Sequence, residues 1–231
     1  HYNYESIAIT DSANLFGFLK FYKSVRSKGI KPIAGAEINH VRDSSSHNEH
    51  ANLTLIAKNQ IGYKNLIKLI SKSQIVGKTS GIPVIETEWL TEHSDGLIAL
   101  SGGFRGHIGK AVLDTNHDLF LKRIKYFQKI FKEDFILEIS RINRPQEDLY
   151  NDYILSKAGE LGLPVVASNE VRFIDKEDYE AHETRVCIQK GEVLSDARRT
   201  RSYFEDQYFL SPEEMYEKFK DIPEVLSNAY E

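Results

Sequence analysis

Apolar positions along the chain alternate between two spacings. Ile7-Ala8-Ile9-Thr10 is a short apolar run that predicts a buried strand, delivering Asp11 to the loop at its carboxyl end. Leu15, Phe18, Leu19, Tyr22 and Val25 then recur at helical spacing, with Gly29 as the C′ residue. Ile30 to Ile38 returns to strand, with Pro32 early, Gly35 in its middle and Glu37 near its end. The polar, Ser-rich stretch from His40 to His50 predicts a loop. Asn52 to Ala57 is a third strand, and Gly62 to Ile75 a helix with Leu66, Ile67 and Ile70 on one side. Gly96 to Leu100 is strand-like and runs into the turn Ser101-Gly102-Gly103. Leu119 to Phe131 predicts a helix, Phe135 to Ile139 a strand, Pro145 to about Leu161 a helix, and Leu163 to Ser168 a last buried strand.

Strands alternating with helices are the signature of an α/β fold with a largely parallel sheet. After Ile174 the pattern is mainly helical, broken at Gly191, Pro212 and Pro223. Ser211 followed by Pro212 reads as an N-cap and first helical residue, with Glu213 and Glu214 in the first turn, where negative charge is favoured. No predicted strand leads into Gly-x-Gly-x-x-Gly, so a barrel fits better than a Rossmann sheet.

Composition narrows the class. With 231 residues, 41% hydrophobic and 28% charged, the chain suits one globular unit with its own core. The single cysteine, Cys187, excludes an internal disulfide and favours a reducing, cytoplasmic setting. Thirty Lys and Arg against 34 Asp and Glu give a net charge of -4, which speaks against a protein built wholly around phosphate backbones. No apolar run approaches the roughly 20 residues that span a bilayer, so no membrane role is expected. The chain starts at His1 without a methionine, and it is expected to be a piece of a longer protein.

In parallel α/β folds the functional loops lie at the carboxyl ends of the strands, where Asp11, Glu37, Asn169-Glu170 and Arg172 fall. Three carboxylates at one rim can hold a divalent metal, although isolated strand-end carboxylates are commonly solvated or capping. Histidines to complete such a site are missing: His40, His47 and His50 fall in the polar stretch, and His93 and His117 read as exposed. Cys187, in the helical run Val186-Cys187-Ile188, reads as a small core residue. The glycines of Ser101-Gly102-Gly103-Phe104-Arg105-Gly106 lack the Gly-Lys-Ser/Thr ending of a phosphate loop and read as a turn. Arg198-Arg199-Thr200-Arg201, diluted by Glu192, Asp196, Glu205 and Asp206, reads as a salt-bridged segment.

Several blocks together resemble a known family. They are Ala8-Ile9-Thr10-Asp11-Ser12 with Asn14-Leu15-Phe16-Gly17, and Gly29-Ile30-Lys31-Pro32-Ile33-Ala34-Gly35-Ala36-Glu37. Leu100-Ser101-Gly102-Gly103, Gly162-Leu163-Pro164-Val165-Val166-Ala167, Ala181-His182-Glu183 and Asp221-Ile222-Pro223-Glu224 follow in order. The chain resembles the polymerase-and-histidinol-phosphatase (PHP) domain at the amino end of bacterial replicative polymerase alpha subunits. The resemblance implies a distorted seven-stranded (β/α) barrel, TIM-barrel-like, whose first strand would lie before His1. It also implies one domain over residues 1–231, with a helical exit from about residue 195 toward the polymerase palm.

Active PHP sites hold metal ions through histidines and carboxylates, and the resemblance implies that most of those positions are replaced here. Ser12, Asn52, Gly103, Ile142 and Arg172 stand where the family carries histidine or, at Gly103, cysteine or histidine. Asp11, Glu37 and Glu170 remain, together with Arg172, as a vestigial pocket with no metal of its own. Carboxylates grouped without a cation repel one another, so Arg172 is expected to enter the vacated centre and pair with Asp11, Glu37 or Glu170. The implied domain is noncatalytic, stabilises the polymerase and docks a proofreading exonuclease subunit. DNA and magnesium are expected to belong to other domains of the parent chain. The alternatives are a working metal-dependent phosphoesterase, either pyrophosphatase or 3′–5′ exonuclease, and a plain nucleic-acid-binding module.

Overall fold

The structure, a computed structural model, describes residues 4–41, 50–79, 81–196 and 198–230. Its strands are β1 (Ser6–Ile9), β2 (Lys31–Val41), β3 (Ala51–Ala57), β4 (Lys78–Thr79), β5 (Ile82–Pro83), β6 (Ile85–Glu86), β7 (Leu97–Leu100), β8 (Phe135–Ser140) and β9 (Val165–Ser168). Its helices are α1 (Phe18–Arg26), α2 (Gln60–Ile75), α3 (Thr87–Glu92), α4 (His107–Leu113), α5 (His117–Phe131), α6 (Glu147–Leu161), α7 (Tyr179–Lys190), α8 (Pro212–Phe219) and α9 (Glu224–Tyr230). None is long and apolar enough to cross a membrane.

Seven strands form one curled sheet in the order β1-β2-β3-β7-β8-β9, with β6 also against β2. β1/β2, β2/β6, β7/β8 and β8/β9 are parallel. The expected largely parallel sheet is interrupted once, because β3 runs antiparallel to both β2 and β7. Parallel neighbours require a crossover of a dozen or more residues, and the link between Val41 and Ala51 is shorter than that.

Strand periodicity of two divides the sheet into faces. Ala36, Ile38, Leu53, Leu55, Leu97, Ala99, Leu137 and Ile139 are buried on the outer face, beneath helices that contribute Leu66, Leu69, Ile108, Phe120, Phe127 and Ile154. Register places Ala8, Ile33, Ile56, Ile98, Leu100, Ile136 and Val166 on the opposite, concave face, where they line a groove of about 890 Å³. β1 and β9 end the strand order and do not pair among the described residues. A smaller cavity of about 230 Å³ lies between them, lined by Ser6, Ile7, Ala8, Ala167 and Ser168.

Local chemistry fixes the connections. Asn59 caps α2 by accepting from the Ile61 and Gly62 amides, and a Cβ at Gly62 would sit 1.8 Å from the Gly96 carbonyl oxygen. The capping box of Ser211 and Glu214 with Pro212 starts α8 as the sequence implies. Arg141 pairs with both Asp221 oxygens at 2.6 and 2.7 Å, and Asn228 donates to the Val165 carbonyl at 2.8 Å, so the last helices are tied to β8 and β9. Cys187 is free and buried.

One local expectation fails. His40 belongs to β2 rather than to a loop, because β2 continues far enough to pair His40 with Ile85 of β6 and with Ala51 of β3. It is fully buried, with Nδ1 3.1 Å from Nε2 of His107, itself buried on α4. His47 and the middle of the polar stretch lie outside the described residues.

Candidate functional site

The segments after β1 and β9 and the middle of β2, which runs on past Glu37 to Val41, carry the predicted residues to one rim. Asp11 follows β1, and its carbonyl accepts from the Glu37 amide at 3.2 Å, while Ala13 N–H donates to the Glu37 carbonyl at 2.8 Å. The Asp11 carboxylate lies beside Gly17, where a Cβ would meet Oδ2 at 2.9 Å. Among the described residues no cation pairs with it.

Glu37 projects from β2 and meets Arg172, which donates to its two oxygens at 2.9 and 3.2 Å. Both side chains are largely buried. The Arg172 amide donates to the Gln207 carbonyl at 2.8 Å, so the segment before α8 positions the arginine. Glu170, just after β9, sits at φ 45, a left-handed conformation uncommon for a residue with a side chain. Gln207 holds this turn by donating to the Glu170 carbonyl at 3.1 Å. Burial pushes the Glu170 carboxyl upward, but hydrogen bonds and charge from Arg144, with Arg105 and Arg172 nearby, bring it below its ordinary range.

Two of these arginines were not expected from the sequence. Arg144 donates to both Glu170 oxygens at 3.0 and 2.8 Å, and Arg105 to one of them at 3.0 Å. The Arg144 guanidinium lies 4.9 Å from the Phe104 ring centroid and 5.6 Å from that of Phe204. Its side chain is only 9% exposed, and Nη1 is buried without a hydrogen-bond partner. Sequence signals for both exist in hindsight: Arg105 is in the glycine turn, and Arg144 lies two residues after Ile142.

Glu138 was also missed. It is on the concave face of β8, and burial pushes its carboxyl up to about 7; the charges of Glu170 and Glu37 add to the effect, while Ser168 and Arg105 oppose it. The clue was a lone acid inside the apolar strand Phe135-Ile136-Leu137-Glu138-Ile139.

The positions where the resemblance implies lost ligands have local structural roles. Ile142 is fully buried and its amide donates to Glu147 Oε2 at 2.7 Å. Gly103 adopts φ 54, and a Cβ there would lie 3.9 Å from Glu138 Oε2. Asn52 bridges to Gly106, while Ser12 bridges to Glu37.

These donors do not suit a metal cluster. Glu37 and Glu170 already accept from guanidinium groups, and among the described residues no group of three or more His, Cys, Asp or Glu is arranged to hold an ion.

The PHP domain model matches residues 1–142. The chain belongs to the PHP domain family. It is 45% identical over 226 residues to the DNA polymerase III subunit alpha of Vibrio cholerae, 44% to that of Escherichia coli K12 and 41% to that of Pseudomonas aeruginosa. Each alignment covers 98% of this chain and 19% of the relative, so the chain spans about one fifth of the length of these relatives. Among solved structures, one described as a metal-dependent phosphoesterase from Bifidobacterium adolescentis matches with TM-score 0.47 and 10% identity, over 71% of this chain and 76% of that one.

The remaining candidates of the PHP chain have partners of their own. Arg199 pairs with Glu183 in buried surroundings and Arg198 pairs with Asp196, which gives the basic run internal partners. His182 lies with its ring centroid 4.6 Å from that of Tyr203 and 5.5 Å from that of Phe173.

Proposed function

We propose that this chain is the amino-terminal PHP domain of the catalytic alpha subunit of a replicative DNA polymerase III, and that the domain itself is noncatalytic. Residues 1–231 form one domain in this reading, with the helices beyond about residue 195 leading toward the palm. The observation that carries the reading is the pairing of Glu37 with Arg172 and of Glu170 with Arg144 and Arg105. Guanidinium groups, protonated at any relevant pH, take the carboxylates that a hydrolytic metal centre would need.

Identity of 40–45% across 98% of the chain to polymerase III alpha subunits supports DNA-templated synthesis as the activity of the parent chain. Magnesium is then held by palm carboxylates elsewhere, and DNA is gripped chiefly by other domains. The domain's own work is to stabilise the polymerase and to dock the proofreading exonuclease subunit and other holoenzyme subunits, in the cytoplasm. β1 and β9, which do not pair among the described residues, leave room between them for a further strand of the barrel.

Metal analysis and hydrolysis assays on the full polymerase chain test the noncatalytic reading. We expect substoichiometric zinc and manganese, and phosphoester hydrolysis no different in an Asp11→Ala/Glu37→Ala double variant. Stoichiometric metal together with hydrolysis abolished by the double variant would establish a working pyrophosphatase or 3′–5′ exonuclease instead.

A further inference from the structure

The charge of this acidic chain is divided unevenly. Residues 13–36 and 50–85 carry ten of the thirty basic residues and none of the 34 acidic ones, leaving twenty basic residues against all 34 acids elsewhere. These two stretches contain α1 and α2, which meet through Phe18 and Tyr63 with ring centroids 5.5 Å apart. The two helices are neighbours on the outside of the sheet, α1 against β2 and α2 against β2 and β3.

Their charges face solvent. Lys20 and Lys23 on α1, Lys28 after it, and Lys64 and Lys68 on α2 are all exposed. Among the described residues none of the five is in an ion pair. Elsewhere, lysines such as Lys157, Lys176, Lys218 and Lys220 pair with nearby acids. On α2, Lys64 and Lys68 stand four residues apart on the exposed side, with about 6 Å of rise between their charges, and Lys72, four residues further on, lies over the Trp89 ring at 4.3 Å from its centroid. The opposite side of that helix buries Leu66, Leu69 and Ile70, so the exposed pair cannot turn inward.

Within the same stretches Lys58 pairs with Asp134 at 2.7 Å, whereas the exposed lysines of α1 and α2 keep their charge toward solvent. Like charges grouped on one face attract a polyanion. Lysines spread along both helices suit an extended, regularly charged partner, and no base-reading geometry is required for it. We propose that the α1–α2 face binds the phosphate backbone of a nucleic acid in a sequence-independent manner. The inference rests on charge placement alone and stands whether or not the polymerase reading does.

The test compares the full chain with a Lys20→Gln/Lys23→Gln/Lys64→Gln/Lys68→Gln variant, using fluorescent 20-nucleotide single strands and 20-base-pair duplexes in titrations from low to moderate salt. All four side chains are exposed, and equal thermal melting midpoints check that the variant is folded. Loss of phosphate contacts weakens binding and lowers the log–log salt slope by about 0.7 per contact for single strands and about 0.9 for duplex. A slope reduced by about two or more supports the proposal, and whichever substrate shows the reduction identifies the form bound. Unchanged affinity and slope on both substrates overturn it. So does competition by polyglutamate that matches DNA at equal charge, because the face would then be a site for an acidic protein.

Discussion

The concave face of the sheet has two ends made by the same strands and opposite in chemistry. Toward the carboxyl ends stand Glu37 and Glu138, with Glu170 just beyond β9, in a setting closed by three arginines. At the other end of the same face, Ile33 of β2, Ile56 of β3, Ile98 of β7 and Ile136 of β8 line the open groove. Strand alternation assigns both sets to one face and says nothing of their difference. At the rim, Glu37 and Glu170 meet guanidinium groups, and burial favours the neutral form of Glu138. In the groove, apolar side chains stay half-exposed, and among the described residues the curled sheet does not close between β1 and β9.

The sharpest way to break this contrast is at the rim. Arg144→Ala leaves the largely buried Glu170 without the guanidinium whose Nη2 donates to both its oxygens, and we expect a loss of about 3–5 kcal/mol, read by urea denaturation at neutral pH. A loss below about 1 kcal/mol would mean that Arg105 and solvent suffice.

Next comes the difference between two carboxylates of the same rim. Glu138 titrates at about 7 in the folded chain against 4.5 ordinarily, so between those values the folded state holds a proton that the unfolded state has released. Its contribution is intact below about 4.5, declines as pH rises, and levels off above about 7, a span of roughly 3 kcal/mol at most. Glu138→Gln, which copies the protonated form, should flatten this slope and be the more stable protein at pH 8, with little difference at pH 4.5. Glu170 behaves oppositely: its pKa is lowered, so its contribution is present above the ordinary value and lost as acid protonates it. Denaturation midpoints measured across pH 3 to 8 on the unaltered chain, Glu138→Gln and Glu170→Gln separate the two.

The smallest effect is expected in the groove. Ile136→Ala, on the half-exposed concave side of β8, should cost roughly 1 kcal/mol, whereas its fully buried neighbour Leu137 should cost about 3–5 when truncated to Ala. Equal losses for the two would show that the groove is covered in solution.

Much of this was legible along the chain. The long periodic segments, α2, α5 and α6, fall close to where their spacing places them, and Asp11, Glu37, Glu170 and Arg172 do reach one rim. The reversed direction of β3 was not legible, because side-chain alternation is the same in parallel and antiparallel strands. His40 was read as loop because its neighbours are polar, yet pairing on both sides of β2 buries it. Arg105 and Arg144 carried no periodic signal at all.

By itself the sequence determined the alternation of elements, the residue types at the strand ends, the shortage of histidine ligands and the family. Only the tertiary structure decided which cation meets which carboxylate. Glu37 and Arg172 are 135 residues apart and Arg105 and Glu170 65 apart, separations that no local spacing constrains. The energy of such pairs comes from burial and geometry, and both exist only once the sheet has curled.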